Sequence, residues 1–238
     1  MAKPTLGKLK PAAFGMLEIP RLPAAVLEGF RALEDLTGTV CDAMDQLGVA
    51  GAVPGSTLRP TDPKARVVAQ AVTVFNRKRS ISVKKAVKGK TSGLADIEAH
   101  NLAQPGDILV IQGVANVSSM GGVSASIGKR QGEAGAIVDG AVRDIDHSRG
   151  IGYPVWSSSV SPMTGKWRIK TVAINKPVKI AGVKVKPADL VLADEVGVCF
   201  VPFAKAAEVL AMARKLASAE AARLKKLEDG ISLADFIR

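Results

Sequence analysis

Residues 105–144 constrain the fold more than any other part of the chain. Pro105-Gly106-Asp107 marks a tight turn, and the apolar run at 108–111 reads as a short buried strand. A loop of small residues at 116–119 leads to the glycine pair Gly121-Gly122. Residues 123–131 have helix character and stop around Gly132, and 136–138 form a second buried strand that is expected to end at Asp139-Gly140. Strand, glycine-rich loop, helix and strand make a βαβ element, which requires a parallel strand pair in an α/β sheet. The loop and the helix amino terminus then lie on one side, where backbone amides can meet an anion. Arg143-Asp144 follows just past the second strand, the end of an α/β sheet at which ligands bind.

The flanking sequence extends this core. Residues 23–30 open a helix with Pro23 and place Val26, Leu27 and Phe30 at helical spacing. Thr37 or Thr39 can cap a second helix with Val40, Ala43, Met44 and Leu47 on one face and Gly48 at its end. Residues 58–63 read as a turn, and 66–75 as a central strand, apolar on both faces. Residues 96–102 resemble a helical turn or two. After Pro154, short strands at 155–156, 171–174, 178–180, 183–185, 190–193 and 198–201 suggest a meander or a small sandwich layer. Residues 203–227 form one long helix striped by Val209, Leu210, Met212, Leu216, Leu224 and Leu227 and ended by Gly230. With no internal repeat and no linker, 23–238 reads as one α/β domain behind an extended arm at 1–22, rich in lysine and proline.

A chain of 238 residues buries roughly 70–75% of its unfolded surface and needs no disulfides. Cys41 and Cys199 sit in apolar contexts, as buried free thiols of a reducing compartment do, so a cytoplasmic location is expected. No apolar run approaches the ~18 residues of a membrane helix, and the lysine-bearing start at 1–10 is followed by no apolar stretch of the secretory type. The formal charge of +11 favours acidic partners. Aromatic residues make up only 4% of the chain, too few to supply the stacking platforms of a single-strand binder. Nucleic acid is therefore not expected as the native ligand, and small acidic metabolites suit the charge equally well. The basic stretch at 76–93 holds Arg77, Lys78, Arg79, Lys84, Lys85, Lys88 and Lys90 without one acid. It reads as a solvated loop or edge hairpin, or as a surface for an acidic partner.

The chemistry is narrowed first by absences. His100 and His147 are the only histidines, and HExxH, CxxC, GxSxG and Walker motifs are missing. The sharpest local signal is Arg143-Asp144. A guanidinium fork matches a carboxylate, and an adjacent aspartate can hold a hydrated Mg²⁺. Together they suit a 2-oxo acid, with arginine on its carboxylate and the metal stabilising an enolate. The same dipeptide also suits a surface salt bridge or a helix cap. Asp139 fits a turn cap or a support behind the site, and Asp194-Glu195 fit a hairpin turn or a relay. Asp146 and His147 fit a water relay or a solvated surface.

At 122–144 the sequence resembles a known family, the RraA-like proteins. It contains the regulators of ribonuclease activity A and the class II 4-hydroxy-4-methyl-2-oxoglutarate aldolases. The resemblance rests on Gly135-Ala136-Ile137-Val138-Asp139-Gly140-Ala141-Val142-Arg143-Asp144. It is extended by Asp42-Ala43-Met44-Asp45-Gln46-Leu47-Gly48, by Pro105-Gly106-Asp107-Ile108-Leu109-Val110 and by Ala193-Asp194-Glu195-Val196-Gly197-Val198. Ordered matches run from about residue 36 to 230. The resemblance implies a single-domain β/β/α layered fold like the swivelling phosphohistidine domains, with N-terminal helices and a long C-terminal helix, assembled as a homotrimer or homohexamer. It implies a lyase that uses Mg²⁺ or Mn²⁺ on a small 2-oxo acid or polycarboxylate, by retro-aldol cleavage or oxaloacetate-type decarboxylation. Arg143 would hold the pyruvyl carboxylate, Asp144 the metal, and the backbone amides of Gly121, Gly122, Val123 and Ser124 the substrate. The family also contains non-catalytic regulators of RNA-degradation enzymes, and a related enzyme with another substrate is a third alternative. Three features depart from the family pattern. Gly122 stands twenty-one positions before Arg143, where an acid is usual; Ala188 precedes Asp189, where glycine is usual; and the basic stretch at 76–93 is unlike the family segment.

Overall fold

Apolar runs bounded by turn residues become the strands of a mixed sheet in the computed structural model, which describes residues 3–237. Helices α1 (Ala24–Arg31) and α2 (Thr37–Gln46) precede strands β1 (Ala52–Pro54), β2 (Arg59–Pro60) and the long β3 (Val67–Lys78). Short helices α3 (Val83–Lys88) and α4 (Ile97–Leu102) lead to β4 (Asp107–Gln112) and β5 (Ser118–Met120). Next come α5 (Gly122–Arg130), β6 (Gly135–Val142), α6 (Ile145–Gly150) and β7 (Val155–Val160). Strands β8 (Ile169–Ile174), β9 (Val178–Ile180), β10 (Val183–Val185), β11 (Leu190–Ala193) and β12 (Gly197–Val201) follow. Helices α7 (Ala206–Glu228) and α8 (Leu233–Phe236) close the described chain. Among the described residues no helix is long and apolar enough to cross a membrane.

The sheet runs β1-β12-β11-β3-β4-β6-β7-β2, with β5 beside β6 and β8 beside β3. Strands β3, β4, β6 and β7 are mutually parallel, so β4-α5-β6 is the expected βαβ unit. Side chains alternate across the sheet. On one face Ile108, Val110, Ile137 and Trp156 pack under Val178, Ile180 and Val185 of the separate β9–β10 hairpin. On the other face Leu109 and Ile111 meet Ala99, Leu102 and Ala125 of α4 and α5. Farther along that face, α1, α2 and α7 cover Leu190, Leu192, Cys199 and Val201. Leu109, Ile111 and Ile137 are fully buried, each worth roughly 1.5–3 kcal/mol of transfer free energy. This is what anchors the strands that carry the site.

Several expectations need correction. Strand β6 does not stop at Asp139-Gly140 but continues to Val142, because β5, in the stretch expected as a loop, pairs with Ala141 and Val142. A register irregularity between Val138 and Ala141 on the β7 side absorbs the Asp-Gly step. The basic stretch at 76–93 is largely solvated, as expected, but it is loop only at 79–82 and 89–93: pairing with β8 carries β3 on to Lys78, and Ser82 caps α3. The late strands make no layer of their own, since β8, β11 and β12 join the central sheet and only β9–β10 stands apart. Thr37 is the first residue of α2 rather than its cap, and its N–H and hydroxyl both donate to Asp194. Ala188, where glycine is usual, takes a left-handed φ of 72°, a conformation that costs an L-residue about 1–2 kcal/mol. The amino-terminal arm is clamped down: Leu6 and Lys8 donate backbone N–H groups to the buried Glu98, and Arg21 pairs with Asp107.

Candidate functional site

The end of β6 and the start of α5 meet at one point. Arg143 N–H donates to Met120 O at 3.1 Å, which fastens the segment after β6 to β5. Asp144 adopts a left-handed backbone, φ 54° and ψ 39°, as it turns the chain into α6. Aspartate is one of the few residues whose short polar side chain tolerates that conformation. Its Oδ2 accepts the Gly122 N–H at 2.8 Å, and Arg143 Nε lies 3.7 Å from the same oxygen. Gly121 is the N-cap of α5 in an extended conformation. A Cβ at Gly121 would sit 2.7 Å from Asp144 Oδ2 and 3.1 Å from Arg143 Nε, so any larger residue there would force the pair to shift. Position 122 is less strict: a Cβ there would meet its nearest atom, Cδ2 of His147, at 3.1 Å.

Gly121, Gly122, Val123, Ser124, Arg143 and Asp144 all line one cleft of about 360 Å³. Asp96, Ser119 and Lys166 line it too. Arg143 and Asp144 are each nearly half-exposed, 43% and 46% by side chain, so both remain accessible to a ligand. The guanidinium, Lys166 and the first-turn amides of α5 supply positive potential, opposed by the carboxylates of Asp96 and Asp144. Among the described residues, no three His, Cys, Asp or Glu side chains come together as a metal cage. Asp144 nevertheless suits a hydrated divalent ion: the Gly122 amide fixes one oxygen, and among the described residues Oδ1 has no hydrogen-bond partner. Mg²⁺ commonly keeps several waters and takes only one or two carboxylates.

Of the remaining sequence candidates only His147 borders the site, lining an adjoining pocket with Gly122 and Asp144. Asp139 Oδ2 accepts the Ala181 N–H in the turn between β9 and β10, at 2.8 Å. Asp194 ties Thr37 to the β11–β12 turn, and Glu195 stands in that turn; neither lines the cleft. Asp146 pairs with Arg149 at the surface, and His147 Nε2 meets Ser126 Oγ at 2.8 Å.

Sequence reasoning missed a buried polar chain behind the cleft. Tyr153 OH donates to Glu133 Oε2 at 2.7 Å, and Glu133 Oε1 meets His100 Nδ1 at 2.8 Å. His100 Nε2 meets Ser124 Oγ at 2.8 Å, and Ser124 Oγ donates to Asp96 Oδ2 at 2.8 Å. Burial, followed by the charge of Glu133 and the hydrogen bond to it, pushes the Tyr153 hydroxyl well above its ordinary pKa. The one local signal was the i,i+4 spacing of Asp96 and His100 on a short helix; Glu133 and Tyr153 arrive from other elements.

The RraA-like family model, described as Aldolase/RraA, matches residues 37–200. The chain belongs to the RraA-like family. A provisionally named 4-hydroxy-4-methyl-2-oxoglutarate aldolase of Halalkalibacterium halodurans is 29% identical over 197 residues, 82% of this chain and 86% of that protein. RraAS2 of Streptomyces coelicolor, described as an unusual member of the RNase ES inhibitor RraA family, superposes with TM-score 0.70 at 27% identity. That match covers 84% of this chain and 96% of the other. An uncharacterized protein of Pseudomonas syringae superposes with TM-score 0.76 at 24% identity, over 92% of this chain and all of that one, and so shares the fold. The RraA-like segment takes in the whole βαβ unit and every cleft residue from Asp96 to Lys166.

Proposed function

We propose that the protein is a divalent-metal-dependent lyase that acts on a small 2-oxo acid, by retro-aldol cleavage that releases pyruvate or by oxaloacetate-type decarboxylation. The observation that carries this reading is the convergence of Arg143, Asp144 and the α5 amino terminus on one cleft. Arg143 would take the substrate carboxylate through its planar fork, with the amides of the Gly121–Ser124 step beside it. Asp144 would hold Mg²⁺ or Mn²⁺, whose charge, when the ion is bound, stabilises an enolate. The residues keep this geometry ready before a ligand arrives: the Gly122 amide orients the carboxylate, and Gly121 leaves room for the pair. The name of the Halalkalibacterium relative supports the same chemistry.

The exposed Val123 and Val160 flank the cleft region, at 78% and 64% exposure. They support a homotrimer or homohexamer with sites near subunit boundaries, which sedimentation at micromolar concentration tests. The likeness to RraAS2 favours a second reading, a regulator that binds an RNA-degradation enzyme without catalysis. Calorimetry with oxalate, a mimic of the pyruvate enolate, separates the two. Mg²⁺-dependent oxalate binding, together with pyruvate release from oxaloacetate or 4-hydroxy-4-methyl-2-oxoglutarate, is expected. Absence of both overturns the lyase reading.

A further inference from the structure

The buried chain behind the cleft is an expensive way to fill a core. Tyr153 and His100 are fully buried and Glu133 is 5% exposed. An imidazole and a carboxylate withdrawn from water carry a desolvation penalty that well-packed apolar side chains would avoid. The chain is continuous, with each link from 2.7 to 2.8 Å, and it leaves the core at one place. There Ser124 and Asp96 line the cleft, with the Asp96 side chain 18% exposed. Asp96 is the cleft's second carboxylate, and the lyase reading leaves it without a role because Asp144 is assigned to the metal.

Proton counting shows what such a chain can do. In one arrangement Ser124 O–H donates to an ionised Asp96, His100 Nε2–H donates to Ser124, and Nδ1–H donates to Glu133; the imidazole is then charged. In the other, Asp96 carries the proton and donates to Ser124, Ser124 donates to a neutral Nε2, and Nδ1–H still donates to Glu133. The two differ only by hops along existing hydrogen bonds, and Glu133 holds the ring in the orientation both require. We propose that Asp96 is the acid–base carboxylate of the cleft and that Ser124 and His100, positioned by Glu133, form its proton reservoir.

This inference rests on the lyase reading. Before the reaction Asp96 is ionised and His100 neutral, one proton short of either arrangement. In retro-aldol cleavage Asp96 would take the substrate hydroxyl proton, giving the second arrangement, and a hop through Ser124 to Nε2 of His100 gives the first. The carbon–carbon bond breaks, the hydroxyl carbon becomes a carbonyl, and the bonding pair stays on the enolate. The proton then returns through Ser124 and Asp96 to the enolate carbon, giving pyruvate, so one proton enters the relay and one leaves. Asp96 is the catalytic residue in this scheme, and His100 and Glu133 are positioning residues.

The test combines three measurements on the full chain with Mg²⁺, using oxalate as the binding probe, and one on the metal-free protein. Asp96→Asn should lower kcat for aldol cleavage by roughly 100-fold or more, the range of a lost general acid–base group. Ser124→Ala should lower it at least ~10-fold, and Ser124→Thr should restore most of the loss, because only the hydroxyl is needed. In all three variants oxalate affinity should stay within about threefold, since neither anchor nor metal carboxylate is touched. Oxaloacetate decarboxylation, which removes no hydroxyl proton, should fall less. In the metal-free protein the imidazole resonances of His100, assigned against His147→Gln, should shift in both Ser124→Ala and Glu133→Gln. Wild-type kcat in Asp96→Asn and Ser124→Ala overturns the relay while leaving the lyase reading intact. Loss of oxalate binding in step with kcat makes the chain structural, and a His100 ring indifferent to both neighbours breaks it. A wild-type protein that neither binds oxalate nor releases pyruvate overturns the lyase reading and this role with it.

Discussion

Arg143→Ala tests the assignment on which the function depends. The side chain is 43% exposed, and its one ion-pair contact among the described residues is Nε to Asp144 Oδ2 at 3.7 Å. A contact that long between two groups this exposed is worth about 0–1 kcal/mol to the fold. At 2–4 °C per kcal/mol for a chain of this size, the variant should melt within about 4 °C of the wild type. Ligand binding should respond differently. A charge-assisted fork onto a carboxylate is worth about 2–5 kcal/mol when the pair is fully desolvated, and exposure of the arginine argues for the lower half, about 2–3 kcal/mol. At 1.4 kcal/mol per factor of ten that is a roughly 30- to 150-fold loss of oxalate affinity. Arg143→Lys should recover little of it, because an ammonium keeps the charge without the bidentate geometry. Calorimetry with oxalate and Mg²⁺ alongside thermal melts measures both quantities. An Arg143→Ala protein that melts 10 °C lower or more and still binds oxalate with wild-type affinity would make the arginine a structural residue and refute the argument.

Three further outcomes follow from the site and its surroundings. Asp144→Asn should abolish Mg²⁺ binding in a calorimetric titration while hardly moving the melting temperature, because asparagine also tolerates the left-handed backbone at φ 54°. Gly121→Ala should weaken oxalate binding at least ~10-fold with a folded circular dichroism spectrum, since the new Cβ arrives 2.7 Å from Asp144 Oδ2 and displaces the pair. Asp189 lies buried, accepting N–H groups from Lys186 and Phe203, and desolvation raises its carboxyl pKa despite those bonds. Its folded pKa therefore exceeds its unfolded one, so its contribution is full below the ordinary carboxylate range and fades as pH rises through the folded value. Urea melts across that window should show a falling stability component in the wild type that is missing from Asp189→Asn.

How much of this was legible in the chain depends on how local each signal is. The βαβ unit was readable because two apolar strands, a glycine pair and a helix lie within forty residues, and hydrophobic periodicity reports such elements directly. Gly121, Gly122, Arg143 and Asp144 were readable for the same reason: topology alone brings the loop after one strand beside the end of the next. The continuation of β6 past Asp139-Gly140 was not, because turn chemistry at an Asp-Gly step competes with pairing to β5, and that pairing is a tertiary fact. The β8 pairing that lengthens β3 joins residues more than ninety positions apart and leaves no periodic trace in the basic stretch.

The relay was illegible for a sharper version of this reason. His100 reaches Ser124 across 24 positions and Glu133 across 33, and Tyr153 reaches Glu133 across 20. A search for adjacent or helically spaced groups finds at most Asp96 and His100, and two lone residues on a helix are most often a satisfied surface pair. Gly122 was read through the acid that the family usually carries there, and the structure gives that departure a physical sense. The Gly122 amide points at Asp144 Oδ2, and a side chain at 122 would press on His147. On this wall of the cleft the position contributes a backbone donor in place of a side-chain carboxylate. The carboxylate proposed for proton transfer stands instead at the amino-terminal cap of the neighbouring α4, at Asp96, with its proton store behind it. The prediction that aldol cleavage survives glycine at 122 and fails in Asp96→Asn is therefore a prediction about which wall carries the acid.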